Sequence, residues 1–519
     1  MACTTLKSFL CWLRVYIDKM IDFVFGLYWD GKKVSIPPLR KEHAFLAEST
    51  VTLARMIKEK QLKSEDLVRA VILRIREVNH LLNAIIEDRF PAAIEDARAV
   101  DALIAAGLSE EEAAKKPFLG VPFTTKESQA IKGFRYTMGL WSRREMRADQ
   151  DSEAIIRLKE AGAIPLAATN LPELLIWQET RNPVYGMTNN PHHTGRSPGG
   201  SSGAEAALTA TYATPISLCS DLGGSTRMPA FYCGMFGHHA TANTTNGRGV
   251  IFRKGDEESM LSLGFITKHV EDLAPLTKVI AGDKAPLLKL DRNVDIKDIK
   301  FYYMESSNDC RLSSVRPELK EAMARVVSKL SKELSPEKSP EAYQHEGFNH
   351  MYQLWSYWMS KEPENFASLY NNFKGEAIGI VELLRKIFCL SKHGLSAVIR
   401  LFEIQIMPLF PAWADKLTAE LKSDLFSKLG DNGVLLFPSA PQPAPYHYSC
   451  FLRPYNFSYF AAVNMLKCPA TQVPLGVDSQ GLPLGIQVVA APYNDALCLN
   501  VAKYLEKEFG GAIMACKKQ

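Results

Sequence analysis

Ser197–Ala230 reads SPGGSSGAEAALTATYATPISLCSDLGGSTRMPA and contains two Gly-Gly-Ser steps, at Gly199–Ser201 and Gly223–Ser225. Paired glycines allow positive φ angles and let backbone N–H groups converge on one point. A hydroxyl directly after such a pair is typical of a nucleophile with donors beside it for a developing oxyanion. The two serines are 24 positions apart, with a helix-like Ala/Leu run between them, which indicates a catalytic site rather than a linker.

The two steps differ in what precedes them. Gly199–Gly203 matches the G-x-S-x-G pattern of a nucleophile elbow, but the elbow requires a buried strand before it, and residues 192–198 (HHTGRSP) are loop-like. The second step follows the strand-like Pro215–Cys219, and its turn predicts a nest of backbone amides for an anion. The predicted oxyanion-hole donors are Leu222, Gly223, Gly224 and Ser225. Arg227 is placed to pair with Asp221 and brace this turn.

Charge and composition exclude several classes of function. The 519 residues include 61 Lys and Arg against 57 Asp and Glu, and no long basic block predicts nucleic-acid binding. The ten cysteines are scattered without CxxC pairs, which is typical of reduced, buried thiols. The adjacent pairs His192-His193 and His238-His239 lack a converging third ligand, so neither a metal nor a cofactor is expected.

Strand-like and helical segments alternate along the chain. Helices are expected at 41–114, around 152–163 and at 495–509, and strands at 117–126, 164–168, 299–304, 434–437 and 484–490. The only linker-like stretch, 335–340 (SPEKSP), is too short to separate domains. The pattern predicts an α/β protein with one large domain over residues 40–515. A central mixed, twisted β-sheet is expected, covered by helices on both faces.

Residues 1–35 contain an apolar, aromatic segment that charges interrupt. The charges at positions 7, 14, 18 and 22 recur at helical spacing, and the longest uncharged run, Phe23–Trp29, is too short to cross a membrane. The predicted apolar face consists of Phe9, Leu10, Leu13, Ile17, Met20, Ile21 and Val24. This face fits a helix lying in a membrane interface, and equally a helix packed on its own domain or on a dimer partner. No small-residue cleavage site follows, which argues against a cleaved signal peptide.

Residues 376–410 form a second apolar segment. The pattern predicts a hairpin of two short helices separated by residues 391–394 (SKHG), with sparse basic residues. Helices that are too short to span and are flanked by cations fit a cap that dips into a bilayer. A buried helical hairpin is the commoner structure for such a sequence, and both interpretations stay open.

Further motifs lie on either side of the opening stretch. They are GVPFTTKE at 120–127, TNLPE at 169–173, YGMTNNP at 185–191 and LPLGIQ at 482–487. Together with Ser197–Ala230 they make the chain similar to the amidase signature family from about Ala47 to Gly511.

The resemblance implies a Ser-Ser-Lys triad. Ser225 is then the acyl-forming nucleophile, Ser201 the bridging proton relay and Lys126 the base. The resemblance also implies support from Ser202, next to the bridging serine, and from the predicted Asp221–Arg227 pair. By position, Leu175 is expected in the acyl-binding wall.

Such a triad requires an uncharged lysine. A free lysine has a pKa of about 10.4 and is protonated at pH 7, but burial can lower this pKa by several units. Neutral Lys126 then accepts a proton from Ser201 while Ser201 accepts one from Ser225, and the same path returns a proton to the amine leaving group. Taken alone, Lys126 also fits a surface salt bridge with Glu127.

The chain departs from the family pattern at three places. Ala204 and Ala206 flank Glu205 where the family has glycines, Thr226 replaces a frequent Ile, and residues 238–241 (HHAT) lack a Lys-Pro pair. We expect the added methyl groups to restrict the local backbone and the other changes to alter the substrate mouth. All three triad side chains remain, so activity is expected.

The two apolar segments favour a lipid substrate delivered from a membrane. The resemblance then implies a serine amidase for fatty acid amides (N-acylethanolamines and primary fatty amides), membrane-associated inside the cell, for example at the endoplasmic reticulum or lipid droplets. A homodimer is compatible with this expectation. One alternative is an amidase or esterase for small, non-lipid amides or esters. Another is a catalytically silent, membrane-associated binding protein, which the Ala204 and Ala206 replacements suggest.

Overall fold

A computed structural model describes residues 2–255, 257–407 and 410–519, with side chains described from residue 12 onward within these ranges. The β-strands are β1 (Ile85–Asp88), β2 (Pro122–Lys126), β3 (Ile164–Thr169), β4 (Arg181–Asn182), β5 (Gly186–Met187), β6 (Ile216–Asp221), β7 (Phe236–His239), β8 (Ser262–Thr267), β9 (Lys300–Tyr303), β10 (Glu341–Ala342), β11 (Gly433–Pro438), β12 (Ala470–Val477) and β13 (Pro483–Ala490).

The α-helices lie between and around these strands. They are α1 (Ala2–Trp29), α2 (Thr50–Lys58), α3 (Ser64–Leu82), α4 (Phe90–Gly107), α5 (Glu110–Lys115), α6 (Glu153–Glu160), α7 (Gly203–Thr209), α8 (Arg227–Cys233), α9 (Leu273–Ala281), α10 (Pro317–Glu333), α11 (Met351–Met359), α12 (Phe366–Tyr370), α13 (Gly379–Ile387), α14 (Leu395–Ile406), α15 (Pro411–Leu429), α16 (Ser458–Leu466) and α17 (Asp495–Phe509).

Eleven of the described strands form one mixed sheet, in the order β1-β3-β2-β6-β8-β7-β12-β13-β11-β9-β10. β3, β2 and β6 are parallel, as are β11, β9 and β10, and antiparallel strands join the two groups. Successive side chains of a strand point to opposite faces, and every residue of β2, β3, β6 and β13 is buried. Both faces of the sheet are therefore covered, and the predicted α/β fold with a central mixed sheet flanked by helices is confirmed.

The predicted elements agree with the structure except around residue 85 and at 117–121, where a turn precedes β2 in place of the first half of the strand expected at 117–126. β1 interrupts the helical region expected at 41–114 and pairs antiparallel with β3. Its four residues, IIED, are too few to carry a periodicity that distinguishes strand from helix. Pairing with a strand about 80 positions away decides their conformation, which local pattern cannot show.

α1 packs its charged side against the rest of the protein. Asp18 and Asp22 accept hydrogen bonds from the buried Arg453 at 2.9 and 2.7 Å, and Asp22 also pairs with Arg316. The exposed apolar and aromatic side chains are Trp12, Leu13, Tyr16, Met20, Phe23, Val24, Leu27 and Tyr28, and Lys19 is exposed as well. Of the predicted apolar face, Leu13, Met20 and Val24 are exposed whereas Ile21 is buried, so this face is divided between the surface and the rest of the protein. The side chains of Phe9 and Leu10 lie outside the described residues.

The 376–410 segment contains α13 and α14, and residues 408 and 409 lie outside the described part. α14 buries Ala397, Val398, Arg400 and Leu401, whereas much of α13 and the following turn is exposed. In the described ranges, no single helix has both the length and the hydropathy needed to cross a membrane. α14 and α15 meet that criterion only as a pair, bent by 103°.

Candidate active site

The site begins at the carboxyl ends of two parallel strands. β2 ends at Lys126 and its neighbour β6 ends at Asp221, so their last side chains meet at one edge of the sheet. Lys126 is fully buried there, and its Nζ lies 3.1 Å from Ser220 Oγ. Ser220 is not among the residues predicted for the site. Its position directly before Asp221 on the same strand could have indicated that it lies close to the site.

Ser201 and Ser225 are brought to the same place by the loops before α7 and α8. Lys126 Nζ lies 2.5 Å from Ser201 Oγ, and the peptide bond between Gly200 and Ser201 is cis. The Ser202 amide donates to the Ser225 carbonyl at 3.1 Å and ties the two loops together. Ser201 is buried and Ser225 is partly exposed to a cavity. Among the described residues, none is assigned as a hydrogen-bond partner of Ser225 Oγ.

Burial makes Lys126 an unusually weak base for a lysine. Removal from water lowers the pKa of Lys126 to about 7 because the buried ammonium form is disfavoured. Three nearby groups act in the opposite direction, namely Cys219, Asp221 and Glu205. Lys126 is therefore partly neutral at neutral pH and can accept a proton.

Two buried glutamates, Glu127 and Glu205, lie near Lys126. In the described part of the chain, neither forms a salt bridge with it. Glu127 accepts hydrogen bonds from the amides of Thr137 and Met138 at 2.5 and 2.9 Å, so the alternative of a surface salt bridge between Glu127 and Lys126 is excluded. Glu205 accepts from the hydroxyls of Thr124 and Thr169. Burial raises the pKa of Glu205 to about 7, and its negative form favours the charged form of Lys126.

The turn before Ser225 is built around the Asp221 carboxylate. Arg227 Nε donates to Asp221 Oδ2 at 3.0 Å, which agrees with the predicted brace, and both side chains are fully buried. Burial alone would raise the pKa of Asp221, but the Arg227 guanidinium and further donors lower it below its ordinary value.

One of the four predicted oxyanion donors is already engaged. The Gly224 amide donates to Asp221 Oδ1 at 2.7 Å, so the prediction that Gly224 faces an oxyanion is corrected. Within the described ranges, no protein acceptor is assigned to the amides of Leu222, Gly223 and Ser225. Gly224 has a φ of +107°, and a Cβ there would lie 2.3 Å from Phe460 Cβ, which explains why glycine is required.

The departures from the family pattern lie behind the site. Ala204 and Ala206 are fully buried inside the helix α7, and the expected restriction of the backbone at these two positions stays a prediction. Thr226, His238 and His239 are fully buried and are absent from the cavity wall, so the expected change to the substrate mouth is wrong.

A cavity of about 460 Å³ opens in front of Ser225. Its apolar wall includes Leu174, Leu175, Ile176, Trp177, Met228, Ile251, Leu261, Trp355, Met359, Phe366, Ile399, Leu401, Ile404, Met407 and Phe457. Leu175 lies at the wall as expected, with a φ of +64°. In the described part of the chain, no group of three or more His, Cys, Asp or Glu side chains is placed to hold a metal ion.

The chain belongs to the amidase signature family, because residues 66–499 match the family described as Amidase. It is therefore a hydrolase of amide bonds. It is similar to Fatty-acid amide hydrolase 2 of Homo sapiens, with 37% identity over 524 residues, 97% of this chain and 98% of that protein. It is also similar to Fatty-acid amide hydrolase 2-A of Danio rerio, with 35% identity and 98% of each chain covered.

Solved structures with the same fold include one described as Fatty acid amide hydrolase. Its TM-score is 0.72 at 20% identity, covering 91% of this chain and 87% of that one. A 6-aminohexanoate cyclic dimer hydrolase complexed with substrate has a TM-score of 0.69 at 21% identity, covering 89% and 97%. At these identities the two structures establish the fold alone.

Proposed function

We propose that this amidase hydrolyses fatty acid amides, including N-acylethanolamines and primary fatty amides, through an acyl-enzyme on Ser225. The observation that carries the proposal is that Ser225 faces a largely apolar cavity while Lys126 and Ser201 lie hydrogen-bonded behind it. A cavity of about 460 Å³ is large enough for a lipid-sized ligand. The similarity to proteins named Fatty-acid amide hydrolase 2 supports the same substrate class.

Acylation begins with proton transfer along the triad. Neutral Lys126 accepts the proton of Ser201, and Ser201 accepts that of Ser225 as Ser225 Oγ attacks the amide carbon. The carbonyl π electrons move to oxygen, and the amides of Leu222, Gly223 and Ser225, to which no acceptor is assigned within the described ranges, are available as donors to the oxyanion.

Collapse of the tetrahedral intermediate breaks the C–N bond. The proton held on Lys126 returns through Ser201 to the leaving nitrogen, so that a neutral amine departs. Water then attacks the acyl-enzyme and gives its proton to the same relay, which releases the fatty acid and restores the Ser225 hydroxyl. No metal or cofactor takes part in this scheme.

We also propose that the exposed sides of α1 and of the 376–410 hairpin lie on a membrane. On α1, Arg14, Asp18 and Asp22 are held by the protein, whereas Tyr16, Phe23 and Leu27 are exposed by 52–73%. On the hairpin, Phe388 and Leu390 are exposed by 70% and 72%. Exposed aromatic and aliphatic side chains next to exposed basic ones, Lys19 on α1 and Lys392 on the hairpin, fit an interfacial helix.

Each of the two exposed segments contacts a residue that is adjacent to the cavity wall. Arg14 of α1 donates to the Leu452 carbonyl at 3.1 Å, and the neighbouring Phe451 ring packs on the cavity residue Trp177 at 5.0 Å. At the hairpin turn, the Gly394 amide donates to Glu173, which directly precedes Leu174 and Leu175 of the cavity wall. A membrane at this face would therefore supply lipid amides close to Ser225.

Turnover of a long and a short amide by the purified full chain tests the proposal. We expect kcat/KM for oleamide to exceed that for acetamide at least about 100-fold, because each buried methylene contributes ~0.8 kcal/mol. S225A should abolish hydrolysis of both amides, and S427A, which changes an exposed serine of α15, should not. A preference for acetamide would support a small-amide hydrolase instead. Absent hydrolysis by a folded wild type would support a binding protein.

A further inference from the structure

Trp355 of α11 packs against the turn that carries Ser225. Its indole Nε1 donates to the Leu222 carbonyl at 3.1 Å. The ring also covers Gly223 so closely that a Cβ at Gly223 would lie 3.0 Å from Trp355 Cζ2. Asp221 holds the later part of the turn through the Gly224 amide. Trp355 restrains the earlier part, at Leu222 and Gly223.

The restrained carbonyl belongs to the same peptide unit as a predicted oxyanion donor. The Leu222 C=O and the Gly223 N–H share one planar peptide group, in which they point in opposite directions. Fixing the carbonyl toward Trp355 therefore fixes the direction of the Gly223 N–H, which has no protein acceptor within the described ranges. A glycine peptide rotates easily, so this orientation needs an external restraint.

Trp355 is itself held from the hairpin. The Arg400 guanidinium of α14 lies over the indole, 5.2 Å from the ring centroid, and Phe457 meets the ring edge-on at 5.0 Å. Arg400 pairs with Glu403 at 2.8 Å and donates to the Tyr352 hydroxyl, which in turn donates to Glu403. Tyr352 lies one helical turn before Trp355 on α11, so this partly buried network joins α14 to α11 beside the turn.

We propose that Trp355 is a positioning residue that orients the Leu222-Gly223 peptide toward the oxyanion, and that Arg400 of the hairpin holds Trp355 in place. The inference rests on the proposed function, because it requires an acyl transfer at Ser225. It makes α14 part of the support of the catalytic turn as well as of the cavity wall. Displacement of the hairpin then changes kcat rather than substrate affinity alone.

The test compares W355F, which keeps an aromatic ring but loses the N–H donor, with W358F as a matched control. Trp358 lies on the same helix and donates to Thr418 Oγ1 at 3.1 Å, away from the turn. For each full-length variant, kcat and KM for oleamide are measured per site titrated with a fluorophosphonate. We expect W355F to lower kcat about tenfold, less than the loss of a whole oxyanion donor, with KM changed less than about twofold. W358F should leave both values unchanged.

An oxyanion-forming inhibitor separates positioning from general damage to the fold. An oleyl trifluoromethyl ketone adds to a serine hydroxyl as a tetrahedral oxyanion, so W355F should weaken its binding about as much as it lowers kcat. R400Q should lower kcat in the wild type and have a smaller effect in the W355F background, since coupled residues are non-additive.

Two results would overturn the inference. One is a W355F enzyme with wild-type kcat and ketone affinity, and the other is an equal loss in W358F. S225A tests the proposed function separately. Unchanged hydrolysis in S225A would reject the acyl-enzyme itself. An inactive S225A together with an unaffected W355F would reject only the role of Trp355.

Discussion

The ability of Lys126 to act as a base depends on its buried position at the end of β2. At the end of β2 it is surrounded by buried groups, and the loss of water lowers its pKa to about 7. Its two hydrogen-bond partners, Ser201 and Ser220, are both uncharged. At an exposed position the same residue would stay protonated and could not act as a base.

The pH dependence of kcat/KM tests this role of Lys126. Below the pKa of about 7 the lysine is protonated and inactive, so kcat/KM should rise about tenfold per pH unit and level off above pH 7. K126R, whose guanidinium stays charged, should be inactive across this range. A wild-type rate that does not change between about pH 6 and pH 8 would be incompatible with a lysine base.

Sequence predicted the site residues that lie close together along the chain or within family motifs. Asp221 and Arg227 are six positions apart, and their pairing was readable from the turn between them. The hydrogen bond from the Gly224 amide to Asp221 could not be predicted in this way, because it depends on the rotation of a single peptide group. Trp355 lies more than 130 positions from the turn it contacts, and no local pattern connects the two.

α1 shows what helical periodicity can and cannot establish. The recurrence of charges indicated one polar and one apolar side, but not which side the protein covers. That choice is made by Arg453 and Arg316, which lie far away in sequence and attract Asp18 and Asp22. The exposed aromatic side therefore follows from ion pairs that local sequence does not reveal.

Charge substitutions on the two exposed segments test the membrane proposal. F23E/L27E on α1 and F388E/L390E on the hairpin should each lower binding to phosphatidylcholine vesicles at least about tenfold, since each buried large apolar side chain contributes ~1.5–3 kcal/mol. Co-sedimentation of the full chain measures this binding. L287E changes a side chain that is also exposed, on a different element, and should bind like the wild type. Equal binding of all four proteins would contradict the proposal.

At the scale of the whole molecule, one sheet edge collects residues from distant parts of the chain. The parallel neighbours β2 and β6 bring Lys126 next to Asp221, and the loops before α7 and α8 add the two serines. The alternation of elements and the motifs were sufficient to predict the α/β fold, but not the strand order that creates this edge. Much of the cavity wall comes from residues 352–367 and 399–407. The apolar pattern of 376–410 indicated a buried hairpin or a membrane cap and did not identify a substrate site.

In the proposed mechanism Ser225, activated through Ser201 by Lys126, carries the acyl group. Labelling the full-length protein with a fluorophosphonate and mapping the adduct by peptide mass spectrometry identifies the nucleophile. We expect an adduct on Ser225 in the wild type and none near neutral pH in K126A. An adduct on Ser201, or labelling of Ser225 that is the same in K126A as in the wild type, would rule this mechanism out.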